Sequence, residues 1–212
     1  MIRTFAAPLF CLLLAASANA QQKLRPLDEA DNQADFAQFR QQLHSILKRH
    51  DSAALLALIH KDIQTSFGGK GGIEEFKQLW HVENPKSALW PTLSKILSLG
   101  GAFDQQGRFI APYVYSQWPA SIDAFKYVAV IGKGVRVRAA PDTSTTIVAK
   151  LDYAIVEKLE TTTSDAAWVL IRLEDDTQGY IDQRLVRSAM DYHAVFDKSS
   201  GKWQLTALVA GN

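Results

Sequence analysis

Between residues 35 and 100, apolar side chains recur at helical spacing four times. Phe36, Phe39, Leu43, Ile46 and Leu47 fall on one side of a predicted helix that ends near Arg49, with Arg40, Gln41, Gln42 and Lys48 on the other. Asp51 is placed to cap a second helix, because its carboxylate can accept from the free backbone N–H groups of Ala53 or Ala54. Leu55, Leu56, Leu58 and Ile59 supply that helix's apolar face. Ile73, Phe76, Leu79 and Trp80 mark a third helix. Leu89, Leu93, Ile96, Leu97 and Leu99 mark a fourth, with Pro91 tolerated in its first turn and Gly100 at its stop. Between the second and third, Ile63, Thr65 and Phe67 alternate with Gln64 and Ser66, which predicts a short strand from Asp62 to Phe67. The strand runs into Gly68-Gly69-Lys70-Gly71-Gly72. Such a loop can turn backbone N–H groups toward a phosphate. The phosphate-loop pattern, however, requires Ser or Thr after the lysine and here Gly71 follows Lys70, so a strand-to-helix turn using positive φ is expected.

After Gly100 the pattern changes. Ala102-Phe103, Asp104-Gln105-Gln106-Gly107 and Arg108 to Tyr115 read as a hairpin with a four-residue turn, and Pro119 closes this first module. From Tyr127 onward short β runs follow one another every ten or so residues: Val128 to Ile131, Val135 and Val137, Ile147 and Val148, Ile155 to Leu159, Trp168 to Leu173, and Tyr180-Ile181. That spacing marks a small barrel or sandwich. Tyr192 to Phe196 and Trp203 to Val209, around Asp197 to Lys202, form a last hairpin. A hairpin alone is marginal in water, so it is expected to pack on the first module and make the β-rich stretch an insertion. The fold class expected is α+β: a helix-rich module over 35–125, an all-β unit over 126–187, and a hairpin over 188–212 returning to the first module. Residues 21–34, aperiodic and carrying Pro26, are expected as a flexible lead.

Val135-Arg136-Val137-Arg138-Ala139-Ala140-Pro141, the turn Asp142-Thr143-Ser144-Thr145, Trp168 at a strand start and Gly179-Tyr180-Ile181 together resemble the bacterial Src homology 3 domain. That family usually opens on a hydrophobic residue, Asn, Val, Arg, a small residue, Gly and Pro. Here Arg136 stands for the Asn and Ala140 for the Gly, while Val137, Arg138 and Pro141 match. The resemblance implies a small β-barrel that binds peptides or cell-wall material beside another module in secreted or periplasmic proteins. It also implies an aromatic-lined groove for an extended peptide, and Tyr127, Tyr153, Trp168 and Tyr180 are the residues expected to line it. Fragments of the first module, with its closing Gly-Lys-Trp hairpin, are similar to a cystatin-like cone of the nuclear transport factor 2 type.

Arg3, the apolar run Ala6 to Ala16 and Ala18-Asn19-Ala20 read as a secretory signal peptide cleaved after Ala20. The run is too short for a membrane span, which takes about 20 apolar residues. The expected location is periplasmic or secreted. Cys11, the only cysteine of the chain, lies in this leader, so disulfides, a cysteine nucleophile and thiolate-bound zinc are excluded from the remainder. Without Arg3 the 23 basic residues fall level with the 22 acidic ones. A nucleic-acid binder carries a basic face; none is expected here.

Catalytic motifs are missing from the pattern. His44, His50, His60, His81 and His193 lack metal-ligand spacing and are expected to be solvent-facing or capping. No G-x-S-x-G elbow occurs. Glu74 and Glu75, about 100° apart on a helix, suit its first turn, and Glu174-Asp175-Asp176 reads as a solvated turn. No cofactor and no metal are expected. The reading is a non-catalytic binding protein whose β unit takes a peptide, an envelope protein or peptidoglycan. Two alternatives stay open: a small-molecule binder or hydrolase with a pocket in the first module, using His60, Asp62 or His193, and a purely structural β unit without ligand. Trp80, Trp90 and Trp118 are expected as core, and a cleft between the modules as the default pocket.

Overall fold

A computed structural model of the protein describes residues 22–160 and 167–211; the leader expected at 1–20 lies outside the described residues. The chain is α+β. Its first half supplies helices α1 (Ala34–Arg49), α2 (Ser52–Ala57), α3 (Ile73–Trp80) and α4 (Leu89–Ser98), with strands β1 (Ile59–Gln64), β2 (Ala102–Phe103) and β3 (Phe109–Ala111). Asp51 caps α2 by accepting from the Ala54 backbone N–H at 3.0 Å. His50 ends α1 in the left-handed region, its N–H directed at the Ile46 and Leu47 carbonyls.

Local pattern and tertiary pairing disagree at two places in this half. β1 starts at Ile59, where an α2 face was expected, and ends at Gln64, because pairing to a neighbouring strand outweighs the helical spacing of Leu55 to Ile59. The strand expected to run from Arg108 to Tyr115 stops at Ala111: Pro112 has no N–H for a ladder, and a short helix α5 (Tyr113–Ser116) follows.

The second half contains β4 (Tyr127–Val130), β5 (Val135–Arg138), β6 (Ile147–Leu151), β7 (Ile155–Lys158), β8 (Trp168–Arg172), β9 (Gln178–Asp182) and β10 (Val186–Arg187). β11 (His193–Asp197) and β12 (Gln204–Val209) close the chain. Two sheets result. The first has the order β1-β12-β11-β3-β2, so the terminal hairpin is built into the sheet of the N-terminal half. β12 runs parallel to β1, and β11 pairs antiparallel with both β12 and β3. One face of this sheet packs on the helices. Phe36 of α1 sits at the centre, its ring 4.3 Å from that of Phe109, 4.9 Å from Trp203 and 5.8 Å from Phe196.

The second sheet has the order β10-β4-β7-β8-β9-β5-β6, and all its pairings are antiparallel. Residues from every one of its strands, from Val186 at one edge to Leu151 at the other, share one buried cluster. The sheet therefore curls around its own core. No ladder joins β10 to β6 among the described residues, so the sheet is open there.

A third buried cluster locks the halves together. Tyr113 and Val114 of α5 meet Ala129 of β4, Ile155 of β7 and Leu24. Leu24 belongs to the segment expected to be a flexible lead. That segment is instead laid against the second sheet, with Leu24 N–H donating to Tyr153 O at 2.8 Å and Ile155 N–H to Gln22 O at 2.8 Å. Its few apolar residues have no period of their own but find partners far along the chain. Further on, Arg40 donates to Asp28 at 2.6 Å and Asp31 at 3.1 Å, fixing the approach to α1.

Two substitutions test this packing. Phe36→Ala empties the centre of the first core and is expected to cost about 3–5 kcal/mol in denaturant unfolding; a loss below about 1 kcal/mol would show that the cluster does not hold the sheet. Tyr113, fully buried, has no partner for its hydroxyl among the described residues. Tyr113→Phe removes that cost and is expected to leave stability unchanged or raise it by up to about 1 kcal/mol, whereas a clear destabilisation would reveal a bond to this hydroxyl.

Candidate functional site

Strand alternation divides the second sheet into an inner and an outer face. On β4 and β7, Val128, Val130 and Val156 point inward, while Ala129 and Ile155 point outward and are covered by α5 and Leu24. On β8 and β9, Val169, Ile171 and Ile181 point inward. Trp168, Leu170 and Tyr180 take the outer positions, are half-buried, and belong to none of the buried clusters.

The register arranges these outer residues in a line. Leu170 is opposite Tyr180, Tyr180 opposite Arg138, and Arg138 opposite Ile147. The row crosses β8, β9, β5 and β6 and ends at the sheet's edge, where Ile147 and Val148 are each 39% exposed. Trp168, two residues from Leu170, stands beside it. Gly179 permits the close approach of β9 to β5: a Cβ there would meet Val137 at 2.5 Å and the Arg138 carbonyl at 2.9 Å. Arg138 is fixed by donating to Thr145 O at 2.8 Å.

The four aromatics expected in one groove are therefore split. Trp168 and Tyr180 share the outer face. Tyr127, half-buried, packs against the cluster between the halves and lines a separate groove of about 650 Å3. In that groove Arg172 and Glu157 form an ion pair at 3.4 Å, so its walls already neutralise one another in part. Tyr153 sits in the β6–β7 turn with φ of 52°, beside Lys23, Arg25 and Lys133. Leu170, Arg138 and Ile147 were missed by sequence reasoning. Leu170 was legible as an outward position in the alternation of β8, but the row depends on β9 pairing with β5, a non-consecutive partner.

The other candidates resolve as follows. Glu75 occupies the glycine-rich loop from within, accepting from Gly71 N–H at 3.2 Å and from the Thr65 hydroxyl. The loop's own carboxylate takes the place a phosphate would need. Gly68, Gly71 and Gly72 have the positive φ a tight turn requires. The interior of the first module is filled by Phe36, Phe76, Trp90 and their neighbours, while Asp62 is exposed and His60 half-exposed on β1. Trp80 and Trp90 are buried; Trp118 is half-buried and donates to Ile122 O at 2.9 Å. None of these three tryptophans lines a cleft between the halves with the other two. Among the described residues no group of three or more His, Cys, Asp or Glu is placed to hold a metal, and no helix is long and apolar enough to cross a membrane.

His193 departs from the expectation of solvent-facing or capping histidines. It is 3% exposed, because β11 is covered on both faces, and its ring stacks on Tyr115 at 3.5 Å. Its Nδ1 has no partner among the described residues. Burial, helped by the nearby Arg187 charge, pushes its pKa down to about 4 against an opposing backbone bond at Asp191. Comparisons with protein-family models, with curated proteins and with solved structures return no match to this chain.

The His193 shift has a defined sign. Unfolded histidine takes up its proton near pH 6.5 and the folded one only near 4, so the unfolded state binds more protons in between. Stability is complete above pH 6.5 and is lost as pH falls toward 4, by on the order of 3 kcal/mol. Denaturant unfolding across this window is expected to show the loss in the wild type and most of it removed in His193→Gln. Equal losses in the two proteins would rule out His193 as the source.

Proposed function

We propose that this is a non-catalytic binding protein of the periplasm or cell exterior. Its seven-stranded unit is a bacterial Src homology 3-like barrel that recognises an extended peptide, in a partner envelope protein or in the peptidoglycan stem. The observation that carries the reading is the outward row Leu170-Tyr180-Arg138-Ile147 with Trp168 beside it. Large side chains on one sheet face, outside every buried cluster, offer apolar area that a peptide lying across the strands can cover. The Trp168 indole N–H and the Tyr180 hydroxyl make no hydrogen bond to a described residue and are free to engage peptide carbonyls. Arg138 stands between Tyr180 and Ile147 in the row, tied to the Thr145 carbonyl.

Net charge supports contact recognition over steering. With the leader's Arg3 gone, basic and acidic residues balance, so no long-range field draws in a nucleic acid or an anionic membrane. Affinity comes from aromatic burial and main-chain hydrogen bonds. Tyr127 and Tyr153, expected as part of the same groove, act in this reading as supports of the joint and the β6–β7 turn. A filled first-module interior supports a scaffold role for that half and speaks against the pocket-based hydrolase alternative.

Binding to purified peptidoglycan and to a panel of extended peptides tests the reading. Trp168→Ala and Tyr180→Ala are each expected to weaken binding by tenfold or more, as hot-spot aromatics do at about 2 kcal/mol, with the unfolding midpoint nearly unchanged. Binding should vary little between low and moderate salt. Unfolding of Trp168→Ala would place that residue in the core, and a steep fall of affinity with salt would replace aromatic burial by charge as the mechanism.

A further inference from the structure

Buried polar side-chain atoms without partners gather at one place in this molecule. Two of the six among the described residues are the indole N–H groups of Trp80 and Trp203 in the helical core. The other four, Tyr113 Oη, Ser116 Oγ, Arg187 Nε and His193 Nδ1, all lie where the chain passes between its two halves. Such groups are rare in native structures, and each calls for a reason.

Arg187 is the one among them that carries a full charge. Its residue is 9% exposed. One terminal nitrogen, Nη2, donates to the Tyr192 carbonyl, and Nε is left without a partner. It forms no ion pair with a described residue. The neighbouring acid, Asp191, turns a carboxylate oxygen to the Ser188 backbone N–H at 3.1 Å. A guanidinium has five donors and no neutral form in proteins, so a buried one without a carboxylate is an incomplete arrangement.

The same side chain lines a groove of about 480 Å3, within the range of small-ligand sites. Thr92 and Lys95 of α4 line it together with Met190, Asp191 and Tyr192. Lys95 also makes no ion pair with a described residue, so the groove holds two cations against one acid and matches a monoanion. The apolar lining extends outward: Phe67, 51% exposed, and Met190 both come within 4 Å of where a side chain on Gly211 would begin.

The geometry points to a carboxylate-binding site in this groove, taking a small acid with an apolar body. The guanidinium of Arg187, whose Nη2 also donates to the Tyr192 carbonyl, and the ammonium of Lys95 hold the carboxylate, the Thr92 hydroxyl donates to it, and the body lies on Met190, Tyr192 and Phe67. A free aliphatic acid and the C-terminal end of an apolar peptide present the same chemistry. The site uses none of the residues on the outer face of β8 and β9, so it stands or falls separately from peptide recognition there.

Calorimetry and thermal melts of the leaderless chain test it with four probes: octanoate, octanamide, a short apolar peptide ending in a free carboxylate, and the same peptide amidated. At least one acid is expected to bind and raise the melting temperature, with its amide partner inert. Whether octanoate or the free-acid peptide binds identifies the source. Lys95→Gln, on the surface of α4 and harmless to folding, is expected to weaken the acid by about tenfold. Arg187→Met abolishes binding if it folds; if it does not, Lys95→Gln and Thr92→Val carry the test. Trp168→Ala leaves acid binding unchanged. Absence of binding by both acids, equal binding of acid and amide, or full affinity in Lys95→Gln would overturn the assignment.

Discussion

The placement of the last strand governs this molecule. β12 lies between β1 and β11, so an interior strand of the first sheet comes from the end of the chain. Its link to β1 spans the sequence: Gln204 donates to the Ile59 carbonyl, 145 residues earlier. Closing so long a loop costs only slightly more entropy than closing a shorter one, because the cost grows with the logarithm of length. What makes closure favourable is that β12 buries Leu205 and Leu208 against the helices while pairing on both sides. Everything between β3 and β11 must then leave the first sheet and return to it within a strand spacing, and the second sheet hangs from those two passages.

That constraint explains why the second sheet is used unevenly. The exit through α5 and the N-terminal segment around Leu24 cover the outer sides of β4 and β7. The strands farther from the joint, β8, β9, β5 and β6, are left with an outer face that no buried cluster claims. The outward row Leu170-Tyr180-Arg138-Ile147 occupies this remaining half. The return passage has the opposite character: Val186 and Arg187 pair with β4 and lead directly to His193 in β11, so polar groups are pressed between two packed bodies. Apolar contact fixes the exit and desolvated polar groups mark the return.

The sequence was informative where structure follows local period. α1, α3 and α4 show helical spacing, and the six β runs read between Tyr127 and Ile181 fall on β4 to β9, while β10 (Val186–Arg187) was not among them. It was uninformative where a residue's fate depends on a distant partner. Leu24 gives no hint that Tyr153 and Ile155 will receive it. Ile59 is equally compatible with a helix face and with a strand, and only β12 decides between them. Trp168 and Tyr180 were readable as aromatics on strands, but their alignment with Arg138 and Ile147 arises from β5 inserting between β9 and β6. Arg187 and His193 look like ordinary polar residues at strand ends; their burial follows from the joint between the sheets.

With 23 basic against 22 acidic residues the net charge is +1, so the field of the whole chain is weak beyond about 10 Å at moderate ionic strength. The fold provides two places of different physical character. One is apolar area on a rigid face, supplied by strands whose inner side chains are fully packed and which therefore lose little freedom when the outer ones are covered. The other is a charge held where water is scarce, so that a single ion pair there is strong at short range although the net charge of the chain is only +1. The first needs a sheet with one side left open, the second a crowded joint, and inserting a curled sheet into an α+β host produces both at once.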